Sequence, residues 1–471
     1  MAPAPPPAPA PPRHLAWRLL LLACSLAAWG YLDLAGGSGG LAALAALRLS
    51  ATPSERGSLP PLREVAAAWA ARGAWVQLPP TSPPRPHLYS WEEAITIHVG
   101  NSERYIDGCG APAAREHLSR LRWAFNASGS TLPAVPEWSR EATCRALRGR
   151  NVAVLGDSMS GEFYDALVSA LWSGEHGVRP PQRQGLTRIC DGREDGTAGA
   201  GLNATYTYFD HLGSAADEEA SLAATLAELQ RALAARPPPI LVLNRGAHMH
   251  GSNVEPLYPG EAEAAAHARI NAAHAARMAG VWAWLAAHAP DSPVFWRTTT
   301  VGHAFCRYSV LALPLEREES LDEALAAAQA REAASGGPLR NATEDFPDAD
   351  YKASWHWDNI PLQNAATLAA LPRSVHLLDV AHATALRRDS HPHFKYGSRA
   401  RQDCLHYCLP GPIDAWVELF AGSVRYGEEG GAEFFDEAAL AALCSGGRRR
   451  YASRHALSGF GSGGGGGVGG R

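Results

Sequence analysis

Short apolar runs alternate with long helical patterns through the middle of this 471-residue chain, and no other feature restricts its fold more. Apolar runs of strand length lie at 152–155, 240–243, 294–296 and 375–380. Helical patterns lie at 162–172, 217–235, 261–288, 315–334 and 362–371. Strands separated by helices usually pair in parallel, with right-handed crossovers and helices on both faces. The sequence therefore predicts an α/β fold, a three-layer α/β/α sandwich around a mostly parallel sheet.

Polar residues follow three of the predicted strands, at the sheet edge where open α/β sheets bind ligands. They are Gly156-Asp157-Ser158, Asn244-Arg245-Gly246 and Arg297-Thr298-Thr299. Ser158 would begin a helix, with its hydroxyl in the crevice and its N–H at the positive end of that helix. Such a position suits a nucleophile beside an oxyanion site. A helix cap formed by Asp157 or Ser158 is the simpler alternative.

A second candidate lies far downstream, in the segment from Asp403 to Cys408. A serine hydroxyl becomes nucleophilic when a base removes its proton and a carboxylate orients that base. Asp403 and His406 are three residues apart and so share one side of a helical turn. Cys404 and Cys408 are placed to anchor the turn through disulfides. The segment thus predicts the base and its orienting carboxylate, or else a capped and disulfide-tied loop.

Zinc binding is a competing interpretation, because Cys404, His406 and Cys408 lie near His391 and His393 in the sequence. Zinc sites usually combine such a cysteine pair with a second pair or with a spaced histidine pair, and the second cysteine pair is absent. Cysteines in an oxidising compartment also form disulfides readily. We therefore predict no metal.

Other polar and aromatic residues are candidates for supporting functions. The amide of Asn244 is a candidate second oxyanion donor, a contribution of about 3 kcal/mol in other enzymes. Arg297, His303 and Trp357 are candidates for lining a sugar-binding cleft, since aromatic faces and guanidinium groups hold carbohydrates and carboxylates. Ordinary turn, core or surface positions are the alternative for all four.

The N-terminal region predicts a secretory address. Arg13, His14 and Arg18 precede an uncharged apolar run at 19–32. The run is short for a spanning helix, but the stem of Arg18 can extend to the headgroups and lengthen the span. Basic residues before the span favour a cytoplasmic N-terminus. A cleaved signal peptide and a buried helix are the alternatives.

These features give a domain plan. We predict a disordered Pro-rich cytoplasmic tail at 1–14, a signal anchor at 15–34, a stem at 35–86, a luminal catalytic domain at 87–456 and a disordered Gly-rich tail at 457–471.

Other sequence features are also typical of proteins in the lumen of the secretory pathway. Acceptor sites for N-glycosylation occur at Asn126, Asn203 and Asn341. Seven cysteines follow the apolar run, enough for up to three disulfides, whose connectivity the sequence leaves open. The formal net charge of -5 provides no positive field for a nucleic-acid partner.

Two blocks together resemble a known family. The order Gly156-Asp157-Ser158, Asn244, Asp403-x-x-His406 resembles SGNH/GDSL esterases and acyltransferases. More narrowly, LRGRNVAVLGDS at 147–158 and DCLHYCLPGPIDAWVELF at 403–420 resemble the plant trichome-birefringence-like family of polysaccharide O-acetyltransferases. After Ser158 the chain reads Met-Ser-Gly-Glu-Phe, where plant members usually have an Arg-Asn-Gln type of sequence.

The resemblance implies a Golgi type II membrane enzyme with an SGNH-hydrolase-like fold, or a secreted one if the leader is cleaved. It would move acetyl groups onto polysaccharide hydroxyls through an acetyl-serine. Ser158 would be the nucleophile, His406 the base and Asp403 its orienter, with the Ser158 N–H and Asn244 holding the oxyanion. No tightly bound cofactor is implied; acetyl-CoA is one candidate donor. An acetylesterase with the same site, and a non-catalytic wall carbohydrate-binding protein, remain alternatives.

Overall fold

A computed structural model describes part of the chain, and all of this part lies in one compact unit, Leu59–Arg471. The described residues are 60–79, 117–125, 132–171, 186–190, 202–208, 218–234, 238–246, 262–303, 306, 314–318, 323, 326–327, 330, 357–391 and 404–429. Asp403, the apolar run at 19–32 and two of the three glycosylation acceptors, Asn126 and Asn341, lie outside them. Within these ranges, every helix is too short or too polar to span a bilayer.

Eight strands and eight α-helices are numbered here in chain order. The strands are β1 Gly73–Gln77, β2 Leu121–Phe125, β3 Val152–Gly156, β4 Leu186–Ile189, β5 Leu202–Tyr208, β6 Ile240–Leu243, β7 Val294–Arg297 and β8 Val375–Leu378. The helices are α1 Leu62–Ala71, α2 Arg140–Ala146, α3 Ser158–Leu171, α4 Glu218–Ala232, α5 Glu263–His288, α6 Ile360–Ala369, α7 Ala381–Ala385 and α8 Pro412–Glu429. Short 3-10 turns cover Trp357–Asn359 and Arg388–Ser390.

The central sheet has six strands in the order β4-β5-β3-β6-β7-β8. All neighbours pair in parallel except β4 and β5, which are antiparallel. From β3 the chain first adds strands on one side and then crosses to β6 on the other side. The carboxyl ends of β3 and β6 therefore flank the point where the strand order reverses, and a crevice forms there in sheets of this type.

Alternate residues of β3 face two separate apolar layers. Val152 and Val154 point into a core shared with α1, α3 and α8, which includes Phe163 and Trp416. Ala153 and Leu155 point the other way, into a core shared with α4, α5 and α6. Because both faces are covered, β3 and β6 have no polar side chain at any position. The predicted three-layer α/β/α sandwich is thus confirmed.

Most of the predicted elements lie where the sequence pattern put them, with ends shifted by a few residues. The helical pattern predicted at 315–334 is an exception, because residues 314–318 are not helical and only residues 323, 326, 327 and 330 of the rest are described, as helix. Strands β4 and β5 and the separate antiparallel pair β1–β2 were not predicted. Their sequences are short or contain alternating polar residues, so they lack the apolar run that marks the central strands.

The boundary of the predicted stem needs a correction. Helix α1 lies inside the range assigned to the stem, yet its residues Val65 and Trp69 are fully buried. The indole of Trp69 packs edge-on against Tyr426 of α8, with ring centroids 6.0 Å apart, and donates to the carbonyl of Pro133. Sequence reasoning missed this because the partner of α1 lies more than 350 residues away. The folded body therefore begins near residue 60.

Disulfides connect distant parts of the described chain. Cys144 in α2 is bonded to Cys190 at the end of β4, and Cys306 is bonded to Cys404. Cys408 is also disulfide-bonded, and its partner lies outside the described residues because the other four described cysteines are paired with each other. The expectation that disulfides anchor the segment around His406 is confirmed.

Candidate active site

Ser158 and His406 meet at the carboxyl edge of the sheet, although 248 positions separate them in the chain. The Nε2 atom of His406 lies 2.8 Å from the Oγ of Ser158. Ser158 is half-buried and His406 is 7% exposed, so the pair lies just beneath the surface. A base within hydrogen-bond distance of a serine hydroxyl can remove its proton as the oxygen attacks. This pair has the geometry of an activated nucleophile.

Asp157 forms the helix cap and leaves the Ser158 hydroxyl available. Its Oδ1 accepts from the backbone N–H groups of Met159 and Ser160, at 3.0 and 3.3 Å. Ser158 is the first residue of α3, so its own N–H belongs to the turn of donors that no helical carbonyl reaches. Asp157 therefore caps the helix, and the hydroxyl of its neighbour Ser158 is not needed for the cap. The partial positive charge of the helix end lies beside the Ser158 oxygen.

Gly156 brings β3 and β6 close together just before the serine. A Cβ atom at this position would lie 2.6 Å from the carbonyl oxygen of Asn244, closer than atoms pack. Only glycine fits here without displacing the backbone of the neighbouring strand. The glycine of the Gly-Asp-Ser sequence therefore sets the spacing of the two strand ends that flank the site.

Arg297 lies under the serine turn as a buried charge, with 1% of its surface exposed. Its NH2 group donates to the Oγ of Ser160 at 3.0 Å and to the Oδ1 of Asn244 at 2.7 Å. The guanidinium also lies 3.9 Å from the Oδ1 of Asp157 and 4.8 Å from the centre of the Trp416 ring. Burial lowers its pKa to about 10, with Asp157 opposing the shift, so it stays charged at neutral pH. Arg297 therefore joins β7, β6 and α3 rather than pointing into a cleft.

Asn244 uses both hydrogens of its amide inside the protein. The Nδ2 atom donates to the Arg297 carbonyl at 2.8 Å and to the Oγ1 of Thr299 at 3.1 Å. Its orientation is unambiguous, because Arg297 can only donate and therefore requires the amide oxygen on its side. In this geometry the amide presents no hydrogen to an oxyanion. The function predicted for Asn244 stays a prediction, and the arrangement favours positioning of Arg297.

Several contacts fix the segment that carries His406. The disulfide to Cys306 holds Cys404, and the His303 N–H donates to the Cys404 carbonyl at 2.9 Å. On the other side, the Tyr407 N–H donates to the Oε2 of Glu162 in α3, at 3.2 Å. The buried Tyr407 hydroxyl, whose pKa is raised by burial, donates to the Val301 carbonyl at 2.8 Å. The loop at 404–408 is thus held by both α3 and the segment that follows β7.

The remaining predicted residues occupy different places. His303 is 8% exposed, and both of its ring nitrogens contact protein atoms, His391 Nε2 and the Ala385 carbonyl oxygen. Trp357 is half-buried and packs against the apolar core under α8, and a Cβ on Gly302 would strike its ring. Asp403 lies outside the described residues. The sulfur of Cys404 is oxidised and is therefore not a thiolate ligand, which removes one donor from the zinc interpretation.

Sequence reasoning missed four residues that complete the site. Ser160 and Trp416 contact Arg297, Glu162 holds the backbone of the loop, and His391 contacts the carbonyl oxygen of His406. Each is an ordinary member of a helix or turn in the sequence. Glu162 and Asp165 are both buried charges on the same helix, so charge in the sequence did not single out Glu162.

The three-layer fold and the Ser–His pair at its sheet edge are consistent with the class of SGNH-like α/β/α proteins. Residues 328–423 match a protein family described as "PC-Esterase: GDSL/SGNH-like Acyl-Esterase family found in Pmr5 and Cas1p". The matched range includes His406 and ends before the end of α8.

Curated proteins with similar segments come from plants. The chain is 33% identical over 67 residues to xyloglucan O-acetyltransferase 3 of Populus trichocarpa, covering 14% of this chain and 17% of the relative. It is 41% identical over 68 residues to xyloglucan O-acetyltransferase 1 of Arabidopsis thaliana, covering 12% and 16%. It is 44% identical over 50 residues to protein trichome birefringence-like 39 of the same plant, covering 11% and 14%.

The similarity thus spans less than a fifth of the length of these relatives, at modest identity. Together with the domain match it confirms the resemblance to the trichome-birefringence-like family.

Proposed function

We propose that this chain is an O-acetyltransferase that moves acetyl groups onto the hydroxyls of a polysaccharide through an acetyl-serine. The observation that carries the proposal is the 2.8 Å contact between His406 Nε2 and Ser158 Oγ, formed between segments at opposite ends of the folded body. The similarity to proteins named xyloglucan O-acetyltransferases supports the reaction and the class of acceptor.

In the first half-reaction, His406 Nε2 takes the Ser158 proton while Oγ attacks the acetyl carbonyl of the donor. The bond from Oγ to the acetyl carbon forms, the bond to the leaving group breaks, and His406 returns the proton to that group. The Ser158 N–H at the start of α3 is the donor best placed for the oxyanion. Asp403, the residue immediately before the described part of the loop, is the carboxylate that we propose for the Nδ1 side of His406.

In the second half-reaction, a sugar hydroxyl gives its proton to His406 and attacks the acetyl carbon; the bond from that carbon to Ser158 Oγ breaks, and His406 returns the proton to Oγ. No resident cofactor takes part in these steps, and the acetyl donor is a co-substrate, with acetyl-CoA as one candidate. We further propose a Golgi location, with the segment at 15–34 as the anchor and the catalytic domain in the lumen. Disulfides at Cys144, Cys306 and Cys408 support an oxidising compartment.

The test is a serine-directed phosphonate, added to the purified full chain, followed by peptide mapping. We expect a single labelled residue, Ser158, and no label in the His406→Ala variant, whose serine lacks its base. The His288→Ala variant is the matched control, because this histidine is exposed at the end of α5. Label on another residue, or undiminished label without His406, would contradict the assignment.

Acetyl-ester hydrolysis is the second candidate, because the matched family is described as acyl-esterases. Water then replaces the sugar hydroxyl in the second half-reaction, and every other step is the same. The two functions differ in how well the site excludes water and orients the acceptor. Incubation of the full chain with acetylated glycan, and separately with bare glycan and an acetyl donor, separates them. Net gain of acetyl on the bare glycan supports transfer, and release of acetate alone supports hydrolysis.

A further inference from the structure

Two buried histidines lie in line beneath the loop that carries His406. The Nδ1 atom of His303 lies 2.7 Å from the Nε2 of His391, and the Nδ1 of His391 lies 2.7 Å from the carbonyl oxygen of His406. At the far end, the Nε2 of His303 lies 2.7 Å from the carbonyl oxygen of Ala385. His391 is 2% exposed. A continuous line of close polar contacts therefore runs from the end of α7 to the backbone of the loop that carries His406.

The direction of the two outer bonds follows from chemistry. A carbonyl oxygen can only accept, so His303 Nε2 and His391 Nδ1 each carry a hydrogen. A hydrogen bond between the two rings would need a third hydrogen, but two neutral imidazoles carry only two N–H hydrogens in total. With two neutral rings, the two hydrogens go to the two carbonyl contacts, and in this arrangement His391 donates to the His406 carbonyl. Its ring also lies 4.3 Å from that of Tyr407, which restricts its rotation.

Other contacts fix the residues on either side of His406 and Tyr407 in this loop. Backbone hydrogen bonds and the disulfide fix Cys404, and the Cys408 N–H donates to the Ser390 carbonyl at 2.7 Å. The peptide group between His406 and Tyr407 is held at both of its polar atoms, by Glu162 at the Tyr407 N–H and by His391 at the His406 carbonyl oxygen. Rotation of that peptide would swing the imidazole away from Ser158, and displacements of about 1 Å can reduce catalysis by roughly 100-fold.

We propose that His391, supported by His303, is a positioning residue that keeps His406 in line with Ser158. The inference rests on the proposed function, since it needs His406 to be the base. His391 contacts neither Ser158 nor the place where substrate would react, so it acts only through the backbone of His406.

Three variants of His391 separate positioning from packing. In His391→Asn the amide nitrogen takes the place of Nδ1 and can still donate to the His406 carbonyl. In His391→Gln the amide lies nearer the former Nε2, towards His303. His391→Phe keeps a ring against Tyr407 and has no donor. The measurements are kcat and KM for an acetyl ester, the rate of phosphonate labelling at Ser158, and the melting temperature.

We expect His391→Phe and His391→Gln to lower kcat and the labelling rate at least about 10-fold with little change in KM. His391→Asn should regain most of the loss. Equal kcat values for the Asn and Phe variants, or losses that follow the melting temperature alone, would overturn the positioning function. Failure of the proposed function looks different: the Ser158→Ala variant would then keep its activity, whatever the His391 variants do.

Discussion

The guanidinium of Arg297 donates to the side-chain oxygen of Asn244 over 2.7 Å, and this bond joins the carboxyl ends of β7 and β6 directly beneath the serine turn. The same NH2 group donates to Ser160, two residues after Ser158. A buried cation therefore supports the site through hydrogen bonds to protein side chains. This arrangement favours a structural function for Arg297 and Asn244.

Replacement of Arg297 should destabilise the fold. In Arg297→Met, the hydrogen bonds to Ser160 and Asn244 are lost and Asp157 loses its nearby positive charge. Breaking such a buried network costs about 3–5 kcal/mol. Arg297→Lys should restore only part of the lost free energy of unfolding, because an ammonium group cannot reproduce the planar set of donors of a guanidinium. Denaturant unfolding measures the loss, and Arg373→Met, at an exposed turn position, is the control. A change below about 1 kcal/mol would be inconsistent with this arrangement.

Asn244 offers a test between positioning and oxyanion binding. If its amide serves Arg297, Asn244→Ala should lower the unfolding free energy by about 1–3 kcal/mol as well as activity, because Arg297 loses an acceptor. An oxyanion donor would instead lower kcat about 100-fold or more with unchanged stability. Unfolding curves and kcat, measured on the same preparation, decide between them. The second pattern would restore the function predicted from the sequence.

The proposed catalytic residues should show graded effects. Ser158→Ala and His406→Ala should each lower turnover by several orders of magnitude, since both act in the same proton transfer. Asp403→Ala should cost less than either. The double variant should be hardly worse than the single ones, because residues that act as a unit are not additive. Circular dichroism should show an unchanged fold, and additive losses would argue against a shared step.

The two described disulfides should differ in their effect on activity. Closing loops of 98 and 46 residues gives similar stabilisation, about 4–5 kcal/mol each in the chain-entropy account. Of these two, the bond between Cys306 and Cys404 is the one that holds the loop of His406, which Cys408 also anchors through a further disulfide. Replacing Cys306 and Cys404 by serine should therefore lower kcat well below that of the variant lacking Cys144 and Cys190. Activity is compared below the melting temperature of each variant, and equal kcat values would contradict the expectation.

His274 should contribute to acid sensitivity. Burial, with a smaller effect of Arg245, lowers its pKa from 6.5 to about 3. Between these values the unfolded chain binds the proton and the folded chain does not, so stability falls as the pH falls from 6.5 towards 3. His274→Leu should flatten the melting temperature over this window, with the exposed His288→Leu as control. Burial also lowers the pKa of His303 to about 4, so the His274→Leu variant should still lose some stability as the pH falls. An unchanged profile would show that His274 is not buried in its neutral form.

Local patterns were enough to place the central strands and the helices that cover them. The predicted bounds of β6 agree with those in the structure. A four-residue apolar run is too short for a helix and is typical of a buried strand. The burial of α1, which lies in the range assigned to the stem, was not predicted. An alanine-rich helix gives no sign of its partner, and that partner is α8 at the other end of the domain.

The sequence by itself determined the layered α/β architecture, the edge of the sheet where polar residues gather, and the two segments that supply Ser158 and His406. Those features depend on periodicity and on residue chemistry along a few neighbouring positions. The tertiary structure alone decided that the two side chains meet, that Arg297 donates to Asn244, and that His391 contacts the carbonyl oxygen of His406. Each of these contacts joins elements from separate parts of the chain, and their distance and direction arise only when the layers pack.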